Sequence, residues 1–207
     1  MLIAALTGGI ATGKSIVAKS LEDQGCYVHY ADQIAHRFMK PERPAWKKIV
    51  SHFGKDILNP DKTINRKKLG ALVFAEEKKR NFLNQLIHPL VLEEKKKIID
   101  KLEKDGQYKI FISEAALTIE SGFAEFFDKI IVVFCREEIQ IKRLMERDKI
   151  RREDALKKIG SQMPSEEKLK YADYVIDSSG SVQSTVEQTE KVFLSLMSDY
   201  KRKYEVN

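Results

Sequence analysis

The stretch Leu2-Ile3-Ala4-Ala5-Leu6-Thr7-Gly8-Gly9-Ile10-Ala11-Thr12-Gly13-Lys14-Ser15 decides how this chain is read. A short apolar run, Leu2 to Leu6, reads as a strand, and Lys14 to Gln24 reads as a helix. Between them, Gly8 to Ser15 matches G-x-x-x-x-G-K-[ST] in full. Glycines at such a turn allow positive φ and close backbone approach, so successive N–H groups can wrap a phosphate at the helix N-terminus. Lys14 then reaches the outer phosphate oxygens, and the Ser15 hydroxyl stands where Mg²⁺ is held. The plainer alternative is a glycine-rich turn whose lysine merely opens the helix. A dinucleotide-binding loop is excluded, because Ile10 stands where the second glycine of G-x-G-x-x-G would have to be.

Outward from this motif, further strands are expected at Cys26 to Tyr30, Lys109 to Ile112, Lys129 to Phe134 and Tyr174 to Ile176. The run Lys129-Ile130-Ile131-Val132-Val133-Phe134 is unbroken rather than alternating, which suits a strand covered on both faces of a parallel sheet. Helices are expected over Ile34 to Met39, Trp46 to Phe53, Pro89 to Glu103, Glu137 to Arg147 and Thr185 to Tyr204. The alternation predicts an α/β fold: a three-layer phosphate-loop core with a five-stranded parallel sheet. Two segments exceed plain crossovers. Residues 40–104 read as a helical substrate lobe, with a helix junction at His88-Pro89. Residues 137–170 read as a helical lid, interrupted near Asp148-Lys149 and ended by Met163-Pro164.

The 207 residues, 43% of them hydrophobic, suffice for one domain with a real core, which excludes disorder. Lys and Arg number 37 against 31 Asp and Glu, so anionic partners are expected, although the excess is mild. It is concentrated: residues 40–104 carry seventeen cationic and nine acidic side chains. Cys26 and Cys135 are the two cysteines, too few for a disulfide framework, and His29, His36, His52 and His88 show no metal-ligand spacing. Leu2 to Leu6 is too short for a signal peptide or a membrane span, so a cytoplasmic protein without a membrane partner is expected. The aromatic residues are not interleaved with a basic stripe, so no nucleic-acid partner is expected.

The guanine-specific Asn-Lys-x-Asp is absent, and Asp177-Ser178-Ser179-Gly180 lies too near the C-terminus for a GTPase switch, so a GTPase is not expected. Asp32 follows the second strand, where an open α/β sheet binds ligands, and it can accept a hydroxyl proton in phosphoryl transfer or simply cap a helix. Glu114 follows the third strand, as a Mg²⁺-holding acid or a surface carboxylate. Arg143 and Arg147, four residues apart on one helix face, can neutralise a transferring phosphoryl group or form part of a solvated face. His88, a lone histidine before Pro89, reads by itself as a packed or capping residue.

Together these residues resemble the dephospho-coenzyme A kinase family over nearly the whole chain. The resemblance rests on Thr7-Gly8-Gly9-Ile10 with Gly13-Lys14-Ser15, on Ala31-Asp32-Gln33-Ile34-Ala35-His36, and on Phe82 to Leu90. It continues through Glu114 to Gly122, Arg143-Leu144 with Arg147, Gln162-Met163-Pro164 and Ala172-Asp173-Tyr174-Val175-Ile176-Asp177. It implies ATP- and Mg²⁺-dependent phosphorylation of the ribose 3′-hydroxyl of dephospho-CoA. Gly8, Gly9, Ile10, Ala11, Thr12, Gly13, Lys14 and Ser15 would bind ATP, and Ser15 and Glu114 would hold the metal. Asp32 would be the general base, and Lys14, Arg143 and Arg147 would stabilise the transferring group. Asp32, Arg80, His88, Pro89 and Glu114 would meet the acceptor. Three positions depart from the family pattern: Glu114 replaces the commoner Asp, Ala116 to Ile119 replaces a Pro-Leu-Leu-Phe-like stretch, and Ser178 replaces an Asn near the adenine. The competing readings are a kinase of another small metabolite, such as a nucleoside monophosphate, and an ATP-switched regulatory or RNA-binding protein. A monomer is the default expectation.

Overall fold

The computed structural model describes residues 1–205, which divide into two compact units, residues 1–30 with 99–205, and Ala31–Ile98. The first holds a five-stranded, wholly parallel sheet. Its strands are β1 (Leu2–Thr7), β2 (Tyr27–Tyr30), β3 (Ile110–Glu114), β4 (Lys129–Phe134) and β5 (Tyr174–Asp177), in the spatial order β2-β3-β1-β4-β5. β1 is central, flanked by β3 and β4, and Leu6 is in register with Glu114 while Thr7 faces Val132. The C-terminal ends of all five strands share one edge, and the glycine-rich loop leaves β1 there.

Both faces of the sheet are covered, which explains the unbroken apolar composition of β4. On one face, Val17, Ala18 and Leu21 of helix α1 (Lys14–Asp23) and Val192 and Leu196 of helix α9 (Val182–Tyr204) pack on Leu2, Ala4, Leu6, Ile112, Ile131 and Val133. On the other, Ile119, Phe127, Met163 and Leu169 close over Ala5, Ile130 and Val132. Three further helices, α6 (Glu137–Asp148), α7 (Arg152–Gly160) and α8 (Ser165–Leu169), occupy residues 137–170, the segment expected to be helical. The expected interruption is at Lys149, which ends α6 in the left-handed conformation at φ 54°.

The second unit is helical: α2 (Ala31–Phe38), α3 (Pro44–Phe53), α4 (Arg66–Ala75) and α5 (Glu77–Asp105) up to Ile98. Asn65 caps α4, its side chain accepting from the Lys68 N–H. The His52 ring stacks on Phe82 at 3.7 Å, joining α3 to α5. The expected junction at His88-Pro89 is absent, because α5 runs through it with Pro89 in its interior. Proline removes one backbone donor, yet 29 residues keep helical geometry around that gap.

Candidate functional site: the phosphate loop and its supports

The loop is shaped by its glycines and tied down by its polar residues. Gly8 has φ 148°, and a Cβ there would lie 2.1 Å from the Val133 carbonyl oxygen of β4, so only glycine fits. Gly13 caps α1 in the left-handed region at φ 90°, and Ala11 takes φ 60° without being glycine. A left-handed alanine is a locally strained residue, of the kind that clusters at ligand sites. Thr12, fully buried, donates its hydroxyl to the Gly9 carbonyl at 2.9 Å. The Lys14 ammonium donates to the Gly8 and Gly9 carbonyls at 3.0 and 2.9 Å, so it arches over the loop. Ser15 is exposed on the first turn of α1, and Glu114 ends β3 half-buried, in register with Leu6 of β1.

Beneath the loop, Ser178 is 1% exposed and donates its hydroxyl to the Thr12 carbonyl at 2.6 Å. This is the position where the resemblance places an adenine-proximal Asn. In this chain the shorter hydroxyl is committed to supporting the loop. Arg143 on α6 donates to both the hydroxyl and the carbonyl of Ser178, at 3.1 and 2.8 Å, with Nη1 3.8 Å from where a Gly13 Cβ would stand. Arg147, on the next turn, pairs instead with Asp148 at 2.8 Å, and Lys158 of α7 grips the same carboxylate at 2.6 Å. The Arg147 hydrogen bond, ahead of the opposing cost of burial, holds the Asp148 carboxyl below its usual range. The structure thus brings Arg143, but not Arg147, to the loop.

In the second unit, Asp32 is exposed in the first turn of α2. That helix begins at Ala31, one residue before it, so Asp32 is not the cap. A cavity of about 650 Å³ in this unit is lined by His36, Arg37, Lys40 and Arg66 and by apolar groups including Leu69 and Val73. Burial, then the Arg66 charge, lower the His36 pKa, while Asp32 opposes them. Arg80 reaches the Val73 carbonyl at 3.5 Å, and neither it nor His88 nor Pro89 lines this cavity. His88 is half-buried, its pKa lowered by burial and by the Lys95 charge.

Sequence reasoning did not single out Gln140, Gln162, Lys168 or the basic cavity as functional. The Gln162-Met163-Pro164 triplet was visible, but nothing local marks Gln162 as a ligand of the loop. The Ile10 N–H donates to Gln162 Oε1 at 2.7 Å, and the Gln140 amide donates to the Ile10 carbonyl at 2.7 Å.

A glycine-lined loop opening a helix at the carboxyl edge of a parallel sheet, with its lysine and a neighbouring arginine, defines a phosphate-loop nucleotide-binding protein. The fold agrees with shikimate kinase from Acinetobacter baumannii, matched at TM-score 0.54 and 15% identity over 96% of this chain and 94% of that one. The model of the family described as dephospho-CoA kinase matches residues 2–184, and the chain belongs to that family. A dephospho-CoA kinase from Carboxydothermus hydrogenoformans is 45% identical over 90% of both chains. The structure of dephospho-CoA kinase from Campylobacter jejuni matches at TM-score 0.66 and 32% identity, covering 94% of this chain and 96% of that one.

Proposed function

We propose that the protein transfers the γ-phosphoryl group of ATP to the ribose 3′-hydroxyl of dephospho-CoA, releasing CoA and ADP. The observation that carries the reading is the loop geometry at Gly8, where no Cβ fits and the backbone is pressed against β4, within a chain of this family. Binding draws Lys14 from the Gly8 and Gly9 carbonyls to the phosphates, exchanging two neutral acceptors for charged ones, which form the stronger hydrogen bonds. Arg143, held by Ser178 beside Gly13, adds positive charge at the loop. Helices α6 to α8 are read as the lid.

Mg²⁺ fits the donor set. Ser15 and Glu114 offer hard oxygens at the strand edge, and no cluster of three His, Cys, Asp or Glu exists among the described residues. Mg²⁺ is commonly held in this way, by one or two protein oxygens and the substrate phosphates. When bound, it neutralises charge on the β- and γ-phosphate oxygens.

Asp32 is the base that accepts the hydroxyl proton as the oxygen attacks. The second unit receives the acceptor: it carries sixteen Lys and Arg against eight Asp and Glu, and its cavity presents Arg37, Lys40 and Arg66 beside an apolar wall. That mixture suits a diphosphate attached to a neutral arm. The protein acts as a monomer on small molecules in the cytoplasm, and no helix among the described residues is long and apolar enough to cross a membrane.

Coupled spectrophotometry with ATP and dephospho-CoA tests the assignment. ADP release should require dephospho-CoA, and nucleoside monophosphates should not replace it. Asp32→Asn should keep ATP affinity and lose turnover by roughly 10²- to 10⁴-fold, the usual worth of a general base. Equal turnover in parent and variant removes Asp32 from the chemistry.

A further inference from the structure

Ile10 is the third residue of the phosphate loop, and it is held on three sides by the segment that follows β4. Its N–H donates to Gln162 Oε1 at 2.7 Å, and its carbonyl accepts from Gln140 Nε2 at 2.7 Å. Its side chain packs with the cluster of Ile141 and Leu144 on α6 and Ala155 on α7. Gln140 is 4% exposed, so its amide is committed to this contact. Its nitrogen would stand 2.7 Å from a Cβ at Gly9, so the absent side chain at Gly9 leaves room for the glutamine.

Gln162 lies in the turn between α7 and α8, and that turn is itself braced. The next N–H, of Met163, donates to Glu120 Oε1 at 3.1 Å, and the same oxygen accepts from Lys168 Nζ at 2.6 Å. Lys168 also donates to the Ala116 carbonyl at 2.7 Å, which the Thr7 hydroxyl reaches at 3.3 Å. Thr7 is the residue before Gly8. These hydrogen bonds, with one covalent step from Met163 to Gln162, link the loop at Thr7 through the segment after β3 and the α7–α8 turn back to the loop at Ile10.

A phosphate nest binds only when its N–H vectors are aimed before the ligand arrives, because each misaimed donor must be reoriented at the expense of affinity. Between Gly8 and Gly13 the backbone takes left-handed torsions at three positions, and it has no regular secondary structure to fix it. Besides its own Thr12 and Lys14, which bond the Gly8 and Gly9 carbonyls, side chains from outside fix it: Ser178 below Thr12, and the two glutamines at Ile10. We propose that Gln140 and Gln162 are positioning residues for ATP, clamping Ile10 so that the loop's N–H groups face the phosphates. This rests on the reading of Gly8 to Ser15 as the ATP site. Since both glutamines come from the segment read as a lid, Gln140 on α6 and Gln162 in the α7–α8 turn, the clamp makes nucleotide affinity depend on how that segment is seated.

The test uses Gln162→Met and Gln140→Met, which keep side-chain length and remove the amide, together with the double variant. ATP dissociation constants are measured by calorimetry in Mg²⁺ buffer, and KM values for both substrates by the coupled assay. Each single change should weaken ATP binding about tenfold, near the worth of one hydrogen bond with an otherwise unsatisfied partner. The KM for dephospho-CoA should stay within twofold. The double variant should lose far less than the product of the two, because either loss already frees the same residue. Should Gln140→Met fail to fold, the parent protein answers through amide hydrogen exchange, where the Ile10 N–H should be strongly protected and should lose that protection in Gln162→Met. Unchanged ATP affinity in the variants, multiplied effects, an equal rise in the acceptor KM, or an unprotected Ile10 amide each overturn the clamp. A parent that binds no ATP overturns instead the ATP-site reading on which the clamp stands.

Discussion

Lys168 is a fully buried ammonium, with a 2.6 Å ion pair to Glu120 and a 2.7 Å hydrogen bond to the Ala116 carbonyl. Burial pulls its pKa down, and the Glu120 carboxylate acts in the opposite direction. Lys168→Met fills similar space but leaves the carboxylate with only the Met163 N–H as its described protein donor. Breaking a buried pair from one side costs about 3–5 kcal/mol. The Glu120 side chain is 20% exposed and so keeps some hydration, which favours the lower end of that range. At about 3 kcal/mol, a chain of this size should lose roughly 6–12 °C of its thermal midpoint. Because the penalty comes from the stranded charge, Lys168→Met with Glu120→Leu should recover more than half of the loss. Thermal and urea unfolding followed by circular dichroism would measure both. A single variant within about 2 °C of the parent, or a double variant that falls by the sum of the two singles, refutes the reasoning.

Two further outcomes are expected. Gly8→Ala places a methyl 2.1 Å from the Val133 oxygen and should abolish measurable ATP binding in calorimetry, whereas Gly160→Ala, a helical position with nothing within 4 Å, should be neutral or stabilising by up to about 1 kcal/mol. Lys95 is 7% exposed, and burial lowers its pKa from 10.5 to about 8. Between those two values the unfolded chain holds the extra proton, so stability should rise with pH through this window, by up to about 3 kcal/mol. Urea titrations at pH 8 and 10.5 should show that rise in the parent and a smaller one in Lys95→Met.

The parts of this fold that were legible in the sequence are those whose causes are local. β4 coincides with its expected Lys129 to Phe134 because a β-branched run needs no partner to be recognised. The phosphate loop is readable because its glycines answer to torsions and close approaches within a few residues. α4 was not resolved as a separate helix: Arg66-Lys67-Lys68-Leu69-Gly70 has no clean apolar period, and the Asn65 cap and neighbouring packing define it. α5 passes through Pro89 against local preference, an override by the rest of a long helix. The supports of the site were illegible for a different reason. Gln140 and Gln162 find Ile10 across 130 and 152 residues of chain, and Ser178 finds Thr12 across 166. A glutamine or serine on a helix or turn carries no mark of so distant a partner.

The position of β3 between β2 and β1 bears on how the chain is made. β1 and β2 are complete by Tyr30, yet they do not pair with each other, and the strand that joins them begins at Ile110. The intervening unit, Ala31 to Ile98, is one continuous stretch, and its last helix, α5, runs only seven residues past it, to Asp105. At about 5–20 residues per second of synthesis, roughly 4–16 s separate the emergence of the first two strands from that of their common neighbour. During that interval two short apolar strands wait with unpaired edges. The helical unit is synthesised in full within that interval, before the strand that joins β1 and β2 has emerged.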